Sequence, residues 1–452
     1  MASLLERFRT HVRAARLFPR PGTAVVAVSG GPDSIALLDL MQGVAAELGL
    51  ALVVAHADHQ IRADSGVVAA AVRQVAATHG LPFELGELEL GPATSETAAR
   101  AARQAWLRAV RRRRAARYVV LGHTRDDQVE TILMRVLRGS APAGLAAMAA
   151  RARGGLVRPL LSFTKADVAA HAAHCRLPTH DDPANHDPRH LRSWVRTALL
   201  PLLESRLGPG LRDDVLRVGD AAALERRAWD GILEHLPELR LRRVADGFDV
   251  AREAVRRYDD AVAVAVLRAA ARRAGLVLGI RAARAVVALA GRPSGRHLAL
   301  GGGWTAEVAF DELRIRRGVA DPTTAFVAMG ERGDALFGGF RMTWAPASAP
   351  AALARHEWTT WIPGGDWEVR PPRRGDRLVP VGGVGHRPLR RLLMEARVPR
   401  SDRANYPVVT RGPTILWVPG VCRSADDLPE PGTPAVRLDV TKRSEPQADG
   451  RA

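Results

Sequence analysis

The stretch VVAVSGGPDSIALLDL, residues 25–40, decides the fold. An apolar run, Val25, Val26, Ala27 and Val28, meets a glycine-rich turn, Ser29-Gly30-Gly31-Pro32-Asp33-Ser34. A helix-type apolar pattern follows at Ile35, Leu37, Leu38 and Leu40. A strand, a tight loop and a helix start in that order suit an anion, because helix N-terminal amides and the dipole both favour negative charge. The glycines permit close backbone approach and unusual dihedrals. Ser29 and Ser34 add hydroxyls. No Gly-Lys-Ser/Thr occurs in the chain, so this is not a Walker A loop. Asp33 is the odd member. A carboxylate beside a phosphate is repulsive unless a cation bridges them, so Asp33 implies Mg²⁺ or an orienting role.

Outward from this loop, residues 22 to about 205 alternate between strand and helix patterns. Candidate strands are AVVAVS (24–29), LALVVAHAD (50–58), FELGELEL (83–90) and YVVLGH (118–123). Helix-like segments cover 34–48, 65–80, 95–116 and 126–138. Apolar strands separated by helices predict an α/β domain, residues 1–205, with a parallel sheet covered on both faces. Ligands then sit beyond the carboxyl ends of the strands, where SGGPDS, HADHQIR and GHTRDD all fall. DDPANHDPRH (181–190) is loop-like. Residues 206–320 predict a mainly helical middle domain with a hairpin-like run at 297–317. A linker is expected at 321–354, a small α+β C-terminal domain at 355–435, and a polar, disordered tail at 436–452.

The chain has 452 residues, 47% of them hydrophobic, enough for several cores. No stretch approaches the ~18 apolar residues of a membrane span. The first residues are amphipathic, interrupted by Arg7, Arg9 and Arg13, and lack a signal peptide's apolar core, so a cytoplasmic protein away from membranes is expected. The two cysteines, Cys175 and Cys422, form no CxxC pair, which argues against zinc ribbons, iron–sulfur clusters and a disulfide framework. Net charge is +18, with only Lys165 and Lys442 as lysines among 66 basic residues. Coding bias explains arginine in place of lysine. It does not explain 66 bases against 48 acids, an excess that favours a polyanionic partner, most simply nucleic acid.

In GHTRDDQVET, helical spacing puts Asp127, Glu130 and Thr131 on one face. Two carboxylates one turn apart suit Mg²⁺ or a substrate ammonium. His123 reads either as a packed strand-end histidine or as a contact to metal or substrate. In HADHQIR, alternation sends His56 and Asp58 to one face and His59 to the other, which splits a would-be zinc set. Arg100 and Arg103 are candidate phosphate contacts, while Arg111, Arg112, Arg113 and Arg114 read as a solvated face. Arg192 and Arg196, four apart, face one way, and the preceding loop at 185–187 is expected to close over the site. Near the C-terminus, Leu389, Leu392 and Leu393 form an apolar stripe beside Arg387, Arg390, Arg391, Arg397, Arg400 and Arg403, a surface suited to an RNA backbone. Trp361, Trp367 and Trp417 read as core.

SGGPDS resembles the PP-loop of N-type ATP pyrophosphatases, which cleave ATP between the α- and β-phosphates and pass AMP to an acceptor. GHTRDDQVETILMRVLRGSAPAGLAAM (122–148), HADHQIRADS (56–65), TKADVAAHAAHCRLPTHDDPANHD (164–187) and the C-terminal PRRGDRLVP…RPLRRLLMEARVPRSDRANYPVV…ILWVPGV are similar, in order, to motifs of the tRNA(Ile)-lysidine synthases. The resemblance implies ATP contacts at Ser29, Gly30, Gly31, Pro32, Asp33, Ser34, His56, Gly122 and His123. It implies catalytic roles for Asp33, Asp127 and Glu130, with Mg²⁺ at Asp33 and Asp127. It implies tRNA or phosphate contacts at Arg100, Arg103, Arg192, Arg196, Arg387, Arg390 and Arg391, and phosphate binding by Lys165. The implied partners are ATP, free L-lysine and the CAU-anticodon isoleucine tRNA; a homodimer is left open. Gln60 and Gln104 depart from the family's glycine and tyrosine. Either Asp33 or Asp127 is the candidate base. The rival readings are a PP-loop tRNA thiolase, which calls for cysteine pairs, and a basic RNA-binding module with an inactive ATP site.

Overall fold

The computed structural model describes residues 2–58, 65–88, 90–91, 94, 96–180, 190–318, 324–328, 332–355 and 357–442. Two compact units divide the chain, residues 1–227 and residues 228 onward. His59, Gln60 and the 185–187 loop lie outside the described residues.

The first unit runs α1 (Leu4–Ala14), β1 (Gly22–Ala27), α2 (Pro32–Ala45), β2 (Leu50–Asp58), α3 (Ser65–Thr78), β3 (Phe83–Glu87), α4 (Glu96–Arg113), β4 (Tyr118–Val120), α5 (Arg125–Leu137), α6 (Pro142–Leu145), β5 (Arg151–Ala152), β6 (Leu156–Val157), α7 (Lys165–His174), α8 (Leu191–Trp194), a π-helical turn (Val195–Leu199), α9 (Leu200–Leu207) and α10 (Leu211–Ile232), whose end enters the second unit. Its sheet has the order β3-β2-β1-β4-β6-β5, parallel except for the β5–β6 pair. Val25 aligns with Val53 on one side and Val119 on the other.

The sheet is buried on both faces, which is why its strands read as unbroken apolar runs. Ala24, Val26, Val54 and Val120 face one core with Phe8 of α1 and Leu37, Leu38 and Met41 of α2. Val25, Val53 and Val119 face the opposite core with Leu107 and Val110 of α4. The predicted strands and helices of this unit are present, with β3 and β4 shorter than expected. Leu121, Gly122 and His123 have left the sheet and form the loop into α5.

In the second unit, β7 (Arg242–Val244), β8 (Gly247–Ala251), β9 (His297–Gly301), β10 (Trp304–Ala309) and β11 (Glu312–Arg317) form an antiparallel sheet, β7-β8-β11-β10-β9. It shares an Ala/Val/Leu core with α11 (Arg252–Arg257), α12 (Asp260–Arg273) and α13 (Ile280–Ala290). The middle region is therefore helical with a sheet of its own, larger than the hairpin expected at 297–317.

The expected linker is corrected. Residues 321–354 carry β12 (Phe326–Ala328), β13 (Gly333–Phe337) and β14 (Phe340–Ser348). These join β15 (Thr359–Pro363), β16 (Trp367–Arg370), β17 (Arg377–Leu378), β18 (Arg387–Pro388), α14 (Leu389–Glu395), α15 (Arg400–Arg403), β19 (Val408–Arg411), β20 (Thr414–Val418), β21 (Cys422–Arg423) and β22 (Pro434–Lys442). Residues 436–442 of the expected tail are corrected too, because β22 pairs with both β14 and β15; residues 443–452 lie outside the described residues. Its residues alternate: Val436, Leu438 and Val440 are buried while Arg437 is exposed. Two sheets, β12-β16-β19-β20-β21 and β13-β14-β22-β15, share one core containing Trp367 and Trp417. Trp361 is half-buried, under the Arg437 guanidinium at 5.6 Å. Among the described residues no helix is long and apolar enough to cross a membrane.

Candidate active site

Strand order reverses between β1 and β4, so their carboxyl ends open a crevice at the switch point. Two loops meet there. One is residues 28–31, leading into α2; the other is residues 121–124, leading into α5. Their approach is tight. A Cβ built on Gly122 would stand 3.1 Å from the Asp33 carbonyl oxygen and 3.4 Å from the Ser34 Cα, so only glycine fits without moving backbone. Gly30 has φ +91°, and a Cβ there would meet Val68 at 2.6 Å.

The glycine-rich loop is braced from within. Ser34 Oγ accepts from the Ser29 amide at 3.1 Å and donates to the Gly31 carbonyl at 2.9 Å. Ser29 Oγ lies 3.1 Å from it. The buried Ser34 hydroxyl therefore holds the loop's shape, where the sequence suggested a hydroxyl pointing at phosphate. No side chain caps the start of α2, with Gly31 at the N-cap and Pro32 just inside. His56 is likewise a brace: its Nδ1 is 2.8 Å from the Val28 carbonyl, tying the end of β1 to β2, and burial holds its pKa below the ordinary value.

Asp33 sits in the first turn of α2. Burial pushes its pKa up to about 6, with Asp127 and Asp126 adding to the rise and Lys165 and Arg196 opposing it. Among the described residues nothing donates a hydrogen bond to its carboxylate. Asp127 is the opposite case. Burial would raise it, but Lys165, Arg192 and the Thr124 amide outweigh that and hold it at about 2. Its Oδ2 closes a capping box with Thr124, accepting from the amide at 2.8 Å and the hydroxyl at 3.1 Å. Its Oδ1 accepts from Arg192 Nη2 at 2.9 Å and lies 3.3 Å from Lys165 Nζ.

Glu130, 1% exposed, is fully engaged. Arg192 Nε donates to Oε2 at 2.7 Å and Arg196 Nε to Oε1 at 2.6 Å, with Lys165 Nζ at 3.4 Å from Oε1. The pair Asp127 and Glu130 lies on one helix face, as its spacing predicts. Arg192 and Arg196 are brought to these carboxylates by α8 and the π turn, a helix distortion frequent at functional sites. Part of their predicted role is thereby corrected: they neutralise buried acids within the protein. The network continues outward. Asp126 accepts from the Lys165 amide at 2.7 Å and from Arg212 at 2.8 Å, and Arg212 also pairs with Glu204.

His123 is held neutral, its pKa pushed down to about 3 chiefly by burial, and its Nδ1 is buried without a partner among the described residues. Arg100 and Arg158 lie near enough to contribute to that depression. Arg103 is half-buried on α4. Arg113 and Arg114, expected on a solvated face, pair with Glu84. In the second unit, Arg390 and Arg391 are exposed while Arg387 pairs with Glu395 at 2.5 Å, with Leu389, Leu392 and Leu393 buried beneath.

Lys165 was expected at phosphate, but its place against Asp127 and Glu130 was not legible, and neither were Arg212 and Arg158 around the site. The signals for Lys165 were its family-like motif and its rarity, since the chain has only two lysines. The oxygen donors suit Mg²⁺ unevenly. Asp33, largely buried and without a cation partner at contact distance, fits a hard dication; Asp127 has both oxygens committed and fits it less well.

Sheet order, uncapped glycine-rich loop and acidic helix together define an ATP-using enzyme of the PP-loop class, and a family model described as a PP-loop domain matches residues 6–203. A second, described as the TilS substrate C-terminal domain, matches residues 367–440. The chain is 32% identical to the tRNA(Ile)-lysidine synthase of Symbiobacterium thermophilum over 98% of both chains. It is 33% identical to that of Geobacter sulfurreducens over 90% of both. It is 28% identical to that of Geobacillus kaustophilus, over 93% of this chain and 96% of the relative. The chain belongs to the tRNA(Ile)-lysidine synthase family, and it is an ATP-dependent ligase.

Proposed function

We propose that this enzyme joins free lysine to carbon-2 of the wobble cytidine of CAU-anticodon isoleucine tRNA, using ATP and releasing AMP and pyrophosphate. The observation that carries the reading is the contact of Gly122 with the Asp33 backbone. It brings the glycine-rich loop and the carboxylate-bearing helix to the edge of one crevice.

In the first step the carbon-2 oxygen of the cytidine attacks the α-phosphorus. The bond to the bridging β-oxygen breaks and pyrophosphate leaves, its charge met by the loop amides and the start of α2. Ser29, Gly30, Gly31 and Pro32 line this pocket, Lys165 supports the phosphates, and Ser34 and His56 keep the loop in shape. Mg²⁺, when bound, would be held by Asp33, with Asp127 beside it, and would draw charge from the phosphate oxygens. In the second step the neutral ε-amine of lysine attacks carbon-2, the bond to AMP breaks, and the amine's surplus proton goes to a base. Asp33, when it holds no cation, suits that role and Asp127 does not. A base works best with a pKa near the working pH, and about 6 satisfies this where about 2 leaves almost no basicity. Asp127 and Glu130 instead fix Lys165, Arg192 and Arg196 beside the site. Arg100, Arg103, Arg390 and Arg391 are the proposed tRNA contacts.

The test is transfer of labelled lysine to a panel of purified tRNAs. Lysine should appear in the CAU-anticodon isoleucine tRNA alone, with one AMP and one pyrophosphate formed per lysine transferred. Release of ADP and phosphate, or no incorporation, would refute the reading.

A further inference from the structure

We propose that Asp39, His171 and Cys175 form a binding site for a zinc-class divalent cation between α2 and α7. His171 Nε2 lies 2.8 Å from Asp39 Oδ2. Cys175 Sγ lies over the ring, 3.8 Å from the same nitrogen and 3.9 Å from Nδ1. One donor atom from each residue falls within 4.8 Å of the others, and among the described residues no other His, Cys, Asp and Glu side chains meet that condition.

The local structure explains the convergence. His171 is in the last turn of α7 and Cys175 is its C-cap, four residues on, so both project to one side. α2 packs against α7 and presents Asp39 to that side. A histidine–aspartate hydrogen bond accounts for the 2.8 Å distance. It leaves the thiol beside the ring free to turn toward the same nitrogen. One oxygen, one nitrogen and one sulfur is a mixed donor set that suits zinc and its neighbours and does not suit Mg²⁺ or Ca²⁺.

Spacing supports the assignment. Tetrahedral bonds of about 2.0–2.3 Å place ligand atoms roughly 3.3–3.5 Å apart. The sulfur–nitrogen distance is close to this, and rotation of the exposed Cys175 side chain would carry its sulfur from over the ring to the Nε2 edge. The Asp39 oxygen would retreat by roughly half an ångström to reach the same geometry, and its side chain, 28% exposed, has room to do so. The Cys175 side is open to solvent, giving an ion an entry path and a water the fourth position. The cation would tie together the two helices whose first turns carry Asp33 and Lys165. The site stands independently of the lysine-transfer reading.

The experiment titrates the reduced full-length protein with Co²⁺. One equivalent should bind with the sulfur-to-cobalt charge-transfer absorption of a thiolate ligand, and Zn²⁺ but not Mg²⁺ should abolish it. Cys175→Ser, a change at an exposed position, should lose the band, and Cys422→Ser should keep it. Zn²⁺ should raise the Tm of the parent protein and not that of Cys175→Ser or Asp39→Asn. Absence of the band in the parent, or its survival in Cys175→Ser, would overturn the proposal.

Discussion

Two aspartates ninety-four positions apart in the chain end with acid strengths about four units apart, and burial alone does not separate them. Asp127 has two cations and a helix cap; Asp33 has only distant charges. The consequence for stability has a definite sign. A carboxyl raised in the folded state contributes stability that is complete below the unfolded value of 3.8 and is lost as pH rises through about 6. Asp33→Asn should therefore stabilise the ligand-free protein by about 2 kcal/mol at about pH 8 and hardly at all near pH 4. Thermal melts across that range read it directly, and a pH-independent difference would contradict it. The same variant should lose lysine transfer. Gly122→Ala tests the loop contact. A methyl 3.1 Å from a backbone oxygen must push the two loops apart. Lysine transfer should fall about tenfold to a hundredfold with little change in Tm.

At the scale of elements, α5 is the keystone of the site, and its acids depend on cations from α7, α8 and the π turn. Removing Glu130's charge leaves Arg192 and Arg196 without their main counter-ion. Glu130→Gln should cost about 3–5 kcal/mol in chemical denaturation, the penalty of a broken buried pair. A loss under about 1 kcal/mol would mean that solvent replaces the partner. The depressed carboxylates act oppositely to Asp33. Asp127 and Glu130 contribute stability that is present above their unfolded values and is lost as pH falls, for Asp127 through about 2. α7 starts with a capping box in which Thr164 accepts from the Asp167 amide at 3.0 Å. Thr164→Ala should cost about 1 kcal/mol and displace Lys165, so that stability and activity fall together.

For the molecule as a whole, the charge of +18 requires separating structural arginines from those open to a partner. Arg423 is fully buried and donates to carbonyls of Ser424 and Asp427; Arg370 forms a two-point pair with Asp376. Neither is available to RNA. Arg390 and Arg391 are exposed, and replacing both with alanine should weaken tRNA binding and make it less salt-dependent, by about one unit of slope per lost contact. Binding measured across a salt series checks this. An unchanged slope would remove these residues from the interface.

The parallel sheet, its order of elements and its glycine-rich loop were legible because local chemistry encodes them. Strands buried on both faces must be apolar throughout, and a helix that starts on glycine and proline shows itself. The face shared by Asp127 and Glu130 follows from helical spacing alone. Residues 321–354 and 436–442 misled for the converse reason: Ala, Pro and Arg blur the pattern of β14 and β22, which are interior strands of their sheet only because distant partners pair on both sides. Sequence by itself determined which residue types line the crevice. Only tertiary structure decided what each of them does, because a carboxylate's charge state depends on which cations the fold carries to it, and those come from 35 to 66 residues away.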